Sequence, residues 1–194
     1  MQNVVIRAIE RLDFRTKEAY KTLRTNLSFA GKNVKVISLT SCTPNEGKTS
    51  VSFQLCLSLA ESGKQTILVD ADLRKSVLRG RYKANREKYG LSHYLSGQVE
   101  LDDASCRTNV NNFDIIFAGP VPPNPSELLG GDAFRNMLEV LRMKYDYVIV
   151  DTPPLGSVID AAIVGAICDG TVIVVESGAI SYKFVQNVKE QLNK

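Results

Sequence analysis

The chain has 194 residues, of which 44% are hydrophobic and 23% charged. This is ordinary globular composition, and it excludes wholesale disorder or a fibrous repeat. The net charge of +3 is concentrated in residues 1–33, where Arg7, Arg11, Arg15, Lys17, Lys21, Arg24 and Lys32 outweigh Glu10, Asp13 and Glu18. Cys42, Cys56, Cys106 and Cys168 contain no CxxC pair and read as reduced thiols, and a single histidine, His93, argues against a two-histidine metal site or a Ser-His-Asp triad.

Residues 1–15 read as a basic N-terminal arm, suited to an anionic membrane surface, an acidic partner face or nucleic acid, or else to a solvated helix. Ala19, Leu23, Leu27 and Ala30 recur at helical spacing and predict a helix over 16–30. The β-branched run 34–41 reads as a buried strand, and 47–62 as a helix stopped by Gly63. A second strand follows at 66–72, and then a polar stretch from 73 to 112 with short helices near 91–96 and 101–105. Residues 113–119 form a third predicted strand. A Pro/Gly-rich loop at 121–131 leads into a helix starting near 126 or 132 and reaching 144. Strand 145–154, helix 158–168, strand 170–178 and a last helix over 181–194 complete the pattern.

Five short, almost continuously apolar strands alternating with helices predict an α/β domain over 16–194. Its central sheet is mostly parallel, with helices on both faces. No apolar stretch approaches the ~18 residues of a membrane span, and no secretory signal opens the chain.

The junction between the first strand and its helix carries the first chemical signal. It reads Ser41-Cys42-Thr43-Pro44-Asn45-Glu46-Gly47-Lys48-Thr49-Ser50. A phosphate needs amide groups at a helix N-terminus, a cation, and a hydroxyl for magnesium. Gly47 lets the backbone curl, Lys48 supplies charge to the phosphates rather than packing, and Thr49 is a magnesium ligand candidate. The usual G-x-x-x-x-G-K-[ST] pattern has a glycine where this chain has Cys42, so the spacing matches and the first residue does not.

Aspartates supply the second signal. Asp70 and Asp72 fall at the C-terminal end of the second predicted strand, and Asp151 at that of the fourth. In an open α/β sheet, ligands bind outside the carboxyl ends of the strands, so all three acids and the loop converge on one edge. One or two of them suffice for Mg²⁺ beside phosphate oxygens, leaving another as proton acceptor. Helix capping is the competing use of each.

In this order the segments form a modified Walker A (Ser41 to Thr49), a Walker A′ (Ile67 to Asp72) and a Walker B (Val148 to Asp151). Together they resemble the bacterial tyrosine kinases of capsule and exopolysaccharide assembly. Glu18, Lys21 and Arg24 sit in a helix similar to that family's E-x-x-R-x-x-R helix, and Pro122 to Leu129 and Asp151-Thr152-Pro153-Pro154 with Asp160-Ala161 also match. The resemblance covers about residues 16–192. It implies a P-loop NTPase-like fold, related to the MinD/ParA group, and ATP-dependent, Mg²⁺-dependent phosphorylation of tyrosine in protein substrates. Autophosphorylation would run between subunits of a ring. A membrane-anchored activator or adaptor is implied, with a cytoplasmic location against the inner face of the membrane, control of polysaccharide polymerisation and export, and no nucleic acid partner.

The resemblance also assigns residues. Thr43, Pro44, Asn45, Glu46, Gly47, Lys48, Thr49 and Ser50 would hold the nucleotide; Thr49, Asp70, Asp72 and Asp151 the metal; Lys48, Asp70, Asp72 and Asp151 the chemistry; Glu18, Lys21 and Arg24 the subunit contact. Two departures stand out. Lys21 replaces an arginine of the helix motif, losing its planar fork. The seven tyrosines, at 20, 82, 89, 94, 145, 147 and 182, form no terminal cluster. Measured against the family pattern, the sequence is expected to be truncated at its C-terminus, with the last strand and tyrosine tail missing. Two alternatives remain at this point: a non-catalytic nucleotide-dependent adaptor, and a MinD/ParA-type ATPase. The latter group's signature lysine would fall at Thr43.

Arg74 either orients an acid, contacts phosphate or pairs locally. His93 reads as a surface or half-buried residue, Cys42 as packing, and prolines 122, 123 and 125 as stiffeners of a loop at the same sheet edge.

Overall fold

The computed structural model describes residues 1–31, 33–85 and 87–192. A short strand β1 (Gln2–Val4) precedes helix α1 (Phe14–Phe29), strand β2 (Val36–Ser41), helix α2 (Lys48–Glu61) and strand β3 (Thr66–Asp70). Three short helices follow, α3 (Leu78–Arg81), α4 (Leu91–Leu95) and α5 (Leu101–Ala104), then strands β4 (Cys106–Thr108) and β5 (Phe113–Ile116). Helices α6 (Pro125–Gly130) and α7 (Asp132–Lys144) lead to strand β6 (Tyr147–Asp151), helix α8 (Asp160–Gly165), strand β7 (Gly170–Val174) and helix α9 (Tyr182–Leu192).

The strands form one seven-stranded sheet in the order β1-β4-β5-β3-β6-β2-β7. All pairs are parallel except β4 with β5. Alternation along the strands explains the layering. Ile37, Leu68 and Ile149 face the side covered by α2, where they meet Phe53 and Leu59. Val36, Val69 and Val148 face the other side and pack with Phe134, Met137 and Leu141 of α7. Burial on both faces is why these strands read as unbroken apolar runs. Helix α1 lies outside α2 as a further layer. It has no fully buried residue, but Tyr20, Leu23 and Leu27 rest on the core.

The parallel α/β sheet with helices on both faces is the architecture read from the sequence. Two strands escaped that reading. Residues 1–15 are not all arm: Gln2–Val4 pair in parallel with Cys106–Thr108, and Val4 and Ile6 are buried. Both missed strands have three residues, too few for a period-2 signal. The third predicted strand also ends early, at Ile116. Beyond it, the carbonyls of Phe117 and Ala118 accept from Leu91 and Ser92 at the start of α4, so that backbone caps a helix instead of extending the ladder. The last helix is described to Leu192, and positions 193 and 194 of its predicted span lie outside the described residues.

Candidate active site

Strands β2, β3 and β6 are neighbours in the sheet, and their carboxyl ends carry the site. The loop after β2 turns through two left-handed residues, Asn45 (φ 71°) and Gly47 (φ 84°). Glycine adopts that backbone without cost, and asparagine tolerates it. Helix α2 starts at Lys48, so the amides of its first turn have no partner inside the helix and lie at its positive end. This is the arrangement that receives phosphate.

Asp151, at the end of β6, is the hub beneath the loop. It is 1% exposed and accepts from three side chains of α2: Lys48 Nζ at 2.6 Å, Thr49 Oγ1 at 2.7 Å and Ser52 Oγ at 2.8 Å. Lys48 is itself 6% exposed. Ser52 was not read from the sequence. Its four-residue offset from Lys48 places it one turn along the same helix face, which is the signal that would have found it.

Asp70 ends β3 directly opposite Asp151 in the ladder. It is 1% exposed and accepts from the Ser76 hydroxyl. Burial, reinforced by the charge of Asp151, pushes its pKa up to about 7, while Ser76 and Lys48 pull the other way. Asp72 behaves differently. It is half-buried and accepts from the amides of Arg74 and Lys75, which closes a tight turn. Among the described residues no three His, Cys, Asp or Glu side chains form a metal cage. The three aspartates therefore share an edge without forming one cluster. Two facing carboxylates with one lysine, bonded to Asp151, plus the Thr49 hydroxyl, are a hard-oxygen set short of positive charge. That fits a magnesium ion that takes its remaining ligands from phosphate and water.

The rest of the loop braces itself. Glu46 accepts from the amide of Thr43 at 2.6 Å and from that of Glu176 at 3.3 Å, so it ties the loop to the segment after β7. Ser50 accepts from Arg81 at 2.7 Å. Pro44, Asn45, Gly47, Lys48 and Thr49 line a cleft of about 270 Å³, and Asp72, Arg74, Arg81 and Pro154 form other walls.

Arg74 orients an acid. Its Nε and Nη2 contact the two oxygens of Asp160 at 2.7 and 3.1 Å, and Ser126 bridges the same pair. Asp160 is fully buried. Burial works to raise its pKa, but the hydrogen bonds from Arg74 and Ser126 outweigh that and hold it below the usual carboxylate range. This triad joins the loop after β3, the start of α6 and the start of α8 at the cleft wall.

On α1, Lys21 pairs with Glu18 at 2.7 Å, and both side chains are about half exposed. Arg24 points elsewhere. Its Nη1 donates to the carbonyl of Ser58 on α2 at 2.6 Å, so part of its fork is used within the chain.

Comparison with known proteins sets this site in a family. Residues 34–194 match the family model described as an AAA domain. The tyrosine-protein kinase CpsD of Streptococcus agalactiae is 44% identical over 180 residues, covering 93% of this chain and 79% of that protein. The kinase domain of the Escherichia coli tyrosine kinase ETK superposes with a TM-score of 0.88 at 33% identity, covering 100% of this chain and 85% of that one. The septum site-determining protein MinD from Pyrococcus horikoshii, in a complex with Mg-ADP, superposes with a TM-score of 0.60 at 26% identity over 72% of this chain and 57% of that one.

Proposed function

The chain belongs to the bacterial tyrosine-protein kinase family, and from that membership we propose how its own residues perform phosphoryl transfer from ATP to tyrosine. The observation that carries the proposal is the Lys48–Asp151–Thr49 junction at the mouth of the β2–α2 loop. The first-turn amides of α2 and the Lys48 ammonium hold the β- and γ-phosphates. Thr49, with Asp151 behind it, would hold Mg²⁺, which when bound neutralises charge on those phosphates. Lys48 is bonded to Asp151 in the free protein and must leave it to reach phosphate, and a magnesium ion held by Thr49 and Asp151 would supply the counter-charge that the carboxylate then loses.

Asp70 accepts the tyrosine proton. A general base works best when its pKa lies near the operating pH, and a carboxyl pushed up to about 7 meets that condition. Asp72 and Arg74 shape the rim. Their bonds to backbone amides and to Asp160 keep the A′ turn fixed while the phosphates are held.

In the wider setting, the kinase would regulate capsular or exopolysaccharide polymerisation and export, and would be activated by a membrane-anchored adaptor. No helix among the described residues is long and apolar enough to cross a membrane, which is compatible with attachment through such a partner. Ring self-association would use the exposed Glu18–Lys21 edge of α1.

Incubation of the chain with labelled ATP, Mg²⁺ and a tyrosine peptide supplied in trans tests the reading. Label on peptide tyrosine, lost in Lys48→Met, is the expected result. ATP binding with no transfer, even with an activating adaptor segment present, leaves a nucleotide-dependent adaptor instead.

A further inference from the structure

Beside the nucleotide cleft lies a second, larger groove of about 950 Å³. The two share Val77 and Arg81 as walls. Ser76, whose hydroxyl is bonded to Asp70, lines the groove's inner end. A chain lying in it therefore passes Ser76, one hydrogen bond from the proposed base, and borders the nucleotide cleft at Val77 and Arg81.

Among the described residues the walls carry three cations, Arg79, Arg81 and Lys88, all exposed, against one carboxylate, Glu87. Glu87 does not neutralise its neighbour fully. It lies 3.9 Å from Arg79, beyond hydrogen-bond reach, and its Oε2 has no hydrogen-bond partner among the described residues. The Arg79 donors remain available to a ligand. One side of the groove is backbone: Gly80, Gly90 and Gly119 line it. A Cβ at Gly90 would lie 2.6 Å from the Phe117 carbonyl and from the Gly119 amide, and Gly119 has φ +79°. At Gly90 a side chain would have to displace backbone and at Gly119 it would be strained, whereas Gly80 has open space around it.

We infer that this groove is the acceptor-binding channel and that it selects acidic tyrosine segments, with Arg79 and Lys88 reading carboxylates that flank the target tyrosine. The inference rests on the kinase reading above. It adds to that reading a sequence preference and the residues that enforce it. Exposed ion pairs are individually weak, but two or three acting together reach about 1.4 kcal/mol, which is about tenfold in specificity.

The test uses the whole chain with Mg-ATP and two peptides that differ only in the residues around one tyrosine, glutamates in one and glutamines in the other. Transfer to the acidic peptide is expected to be about tenfold more efficient in kcat/KM. The Arg79→Gln/Lys88→Gln variant should bring the ratio towards one with nucleotide affinity unchanged. Equal use of both peptides by the wild type, or an undiminished ratio in the variant, overturns the inference. Fluorescence anisotropy of the labelled peptides with Mg-ADP supplies an independent reading. Charge-selective binding lost in the variant, with no transfer to either peptide, supports the groove and removes the kinase reading. Binding that ignores peptide charge overturns the groove even if transfer occurs.

Discussion

Lys48 and Asp151 form a buried ion pair, Nζ to Oδ1 at 2.6 Å, with side chains 7% and 1% exposed. The lysine that the sequence reserves for phosphate is therefore also the counter-charge of a buried carboxylate. Its two tasks are separable by experiment, because one needs nucleotide and the other does not.

Lys48→Met should accordingly abolish nucleotide binding and also lower the stability of the free protein. The substitution leaves Asp151 buried with only the Thr49 and Ser52 hydroxyls. Breaking a buried pair in this way costs about 3–5 kcal/mol. Adding Asp151→Asn should recover much of that loss without restoring binding. Thermal unfolding of the three proteins without nucleotide checks this, and a single variant that melts with the wild type would show that the pair contributes nothing.

Asp151→Asn alone should raise the magnesium concentration needed for nucleotide binding by about 10–100-fold. The amide keeps the shape of the carboxylate but not its charge, and Thr49 loses a charged acceptor. Magnesium titration of a fluorescent nucleotide measures the shift. An unchanged midpoint would make Asp151 a structural cap.

Asp70 sets a pH dependence of stability. Its pKa is about 7 in the fold against 3.8 for the free group, because burial and Asp151 disfavour its charge. The native state thus keeps a proton that the unfolded chain has already lost. Stability should fall as pH rises from about 4 to about 7 and level off above, by at most about 4 kcal/mol. Asp70→Asn should remove that slope. The variant should be more stable than the wild type at pH 8 without metal, and indistinguishable from it near pH 4. Parallel melting curves at both pH values would refute the assignment.

Arg74→Ala should destabilise by about 2–3 kcal/mol, below the full cost of a broken buried pair because the arginine is 39% exposed. Asp160 is left to Ser126 alone. Since Asp160 has a lowered pKa, its contribution is present above the ordinary carboxylate value and is lost as pH falls through the lowered one. The deficit of the variant should therefore shrink in acid. A deficit independent of pH would mean that packing, not the charge pair, was removed.

On α1, Glu18→Lys should weaken assembly measured by light scattering with Mg-ATP and an adaptor segment, leaving the melting temperature unchanged. Arg24→Ala should cost about 1 kcal/mol in the monomer through loss of its bond to Ser58. A change in mass for neither variant would remove this helix from the subunit contact.

Gly47, Lys48, Thr49, Asp70 and Asp151 were legible because strand ends and helix starts fix where their side chains must go. The sequence grouped Asp72 with Asp70, and the fold gives the two different surroundings. Two residues beyond a strand end, the backbone has already turned, and the carboxylate serves the amides of that turn. The partner of Arg74 was hidden for another reason. Asp160 follows 86 residues later, and only the folded sheet edge brings the two together. The sequence also offered Arg24 as a contact between subunits, whereas its nearest acceptor is a carbonyl on the next helix. A backbone oxygen leaves no compositional trace.

The pairing of Val4 with Thr108 has a consequence for how the protein is made. A ribosome releases residues 2–4 long before the strand they join. Until Cys106–Thr108 emerges, Val4 and Ile6 have no core to enter, although both end almost fully buried. The β2, β3 and β6 strands wait on one another as well, and β6 comes last of the three. The Asp70–Asp151 face therefore cannot exist until β6 emerges, and the nascent chain carries a complete phosphate loop well before it carries Asp151, the partner of the loop's lysine.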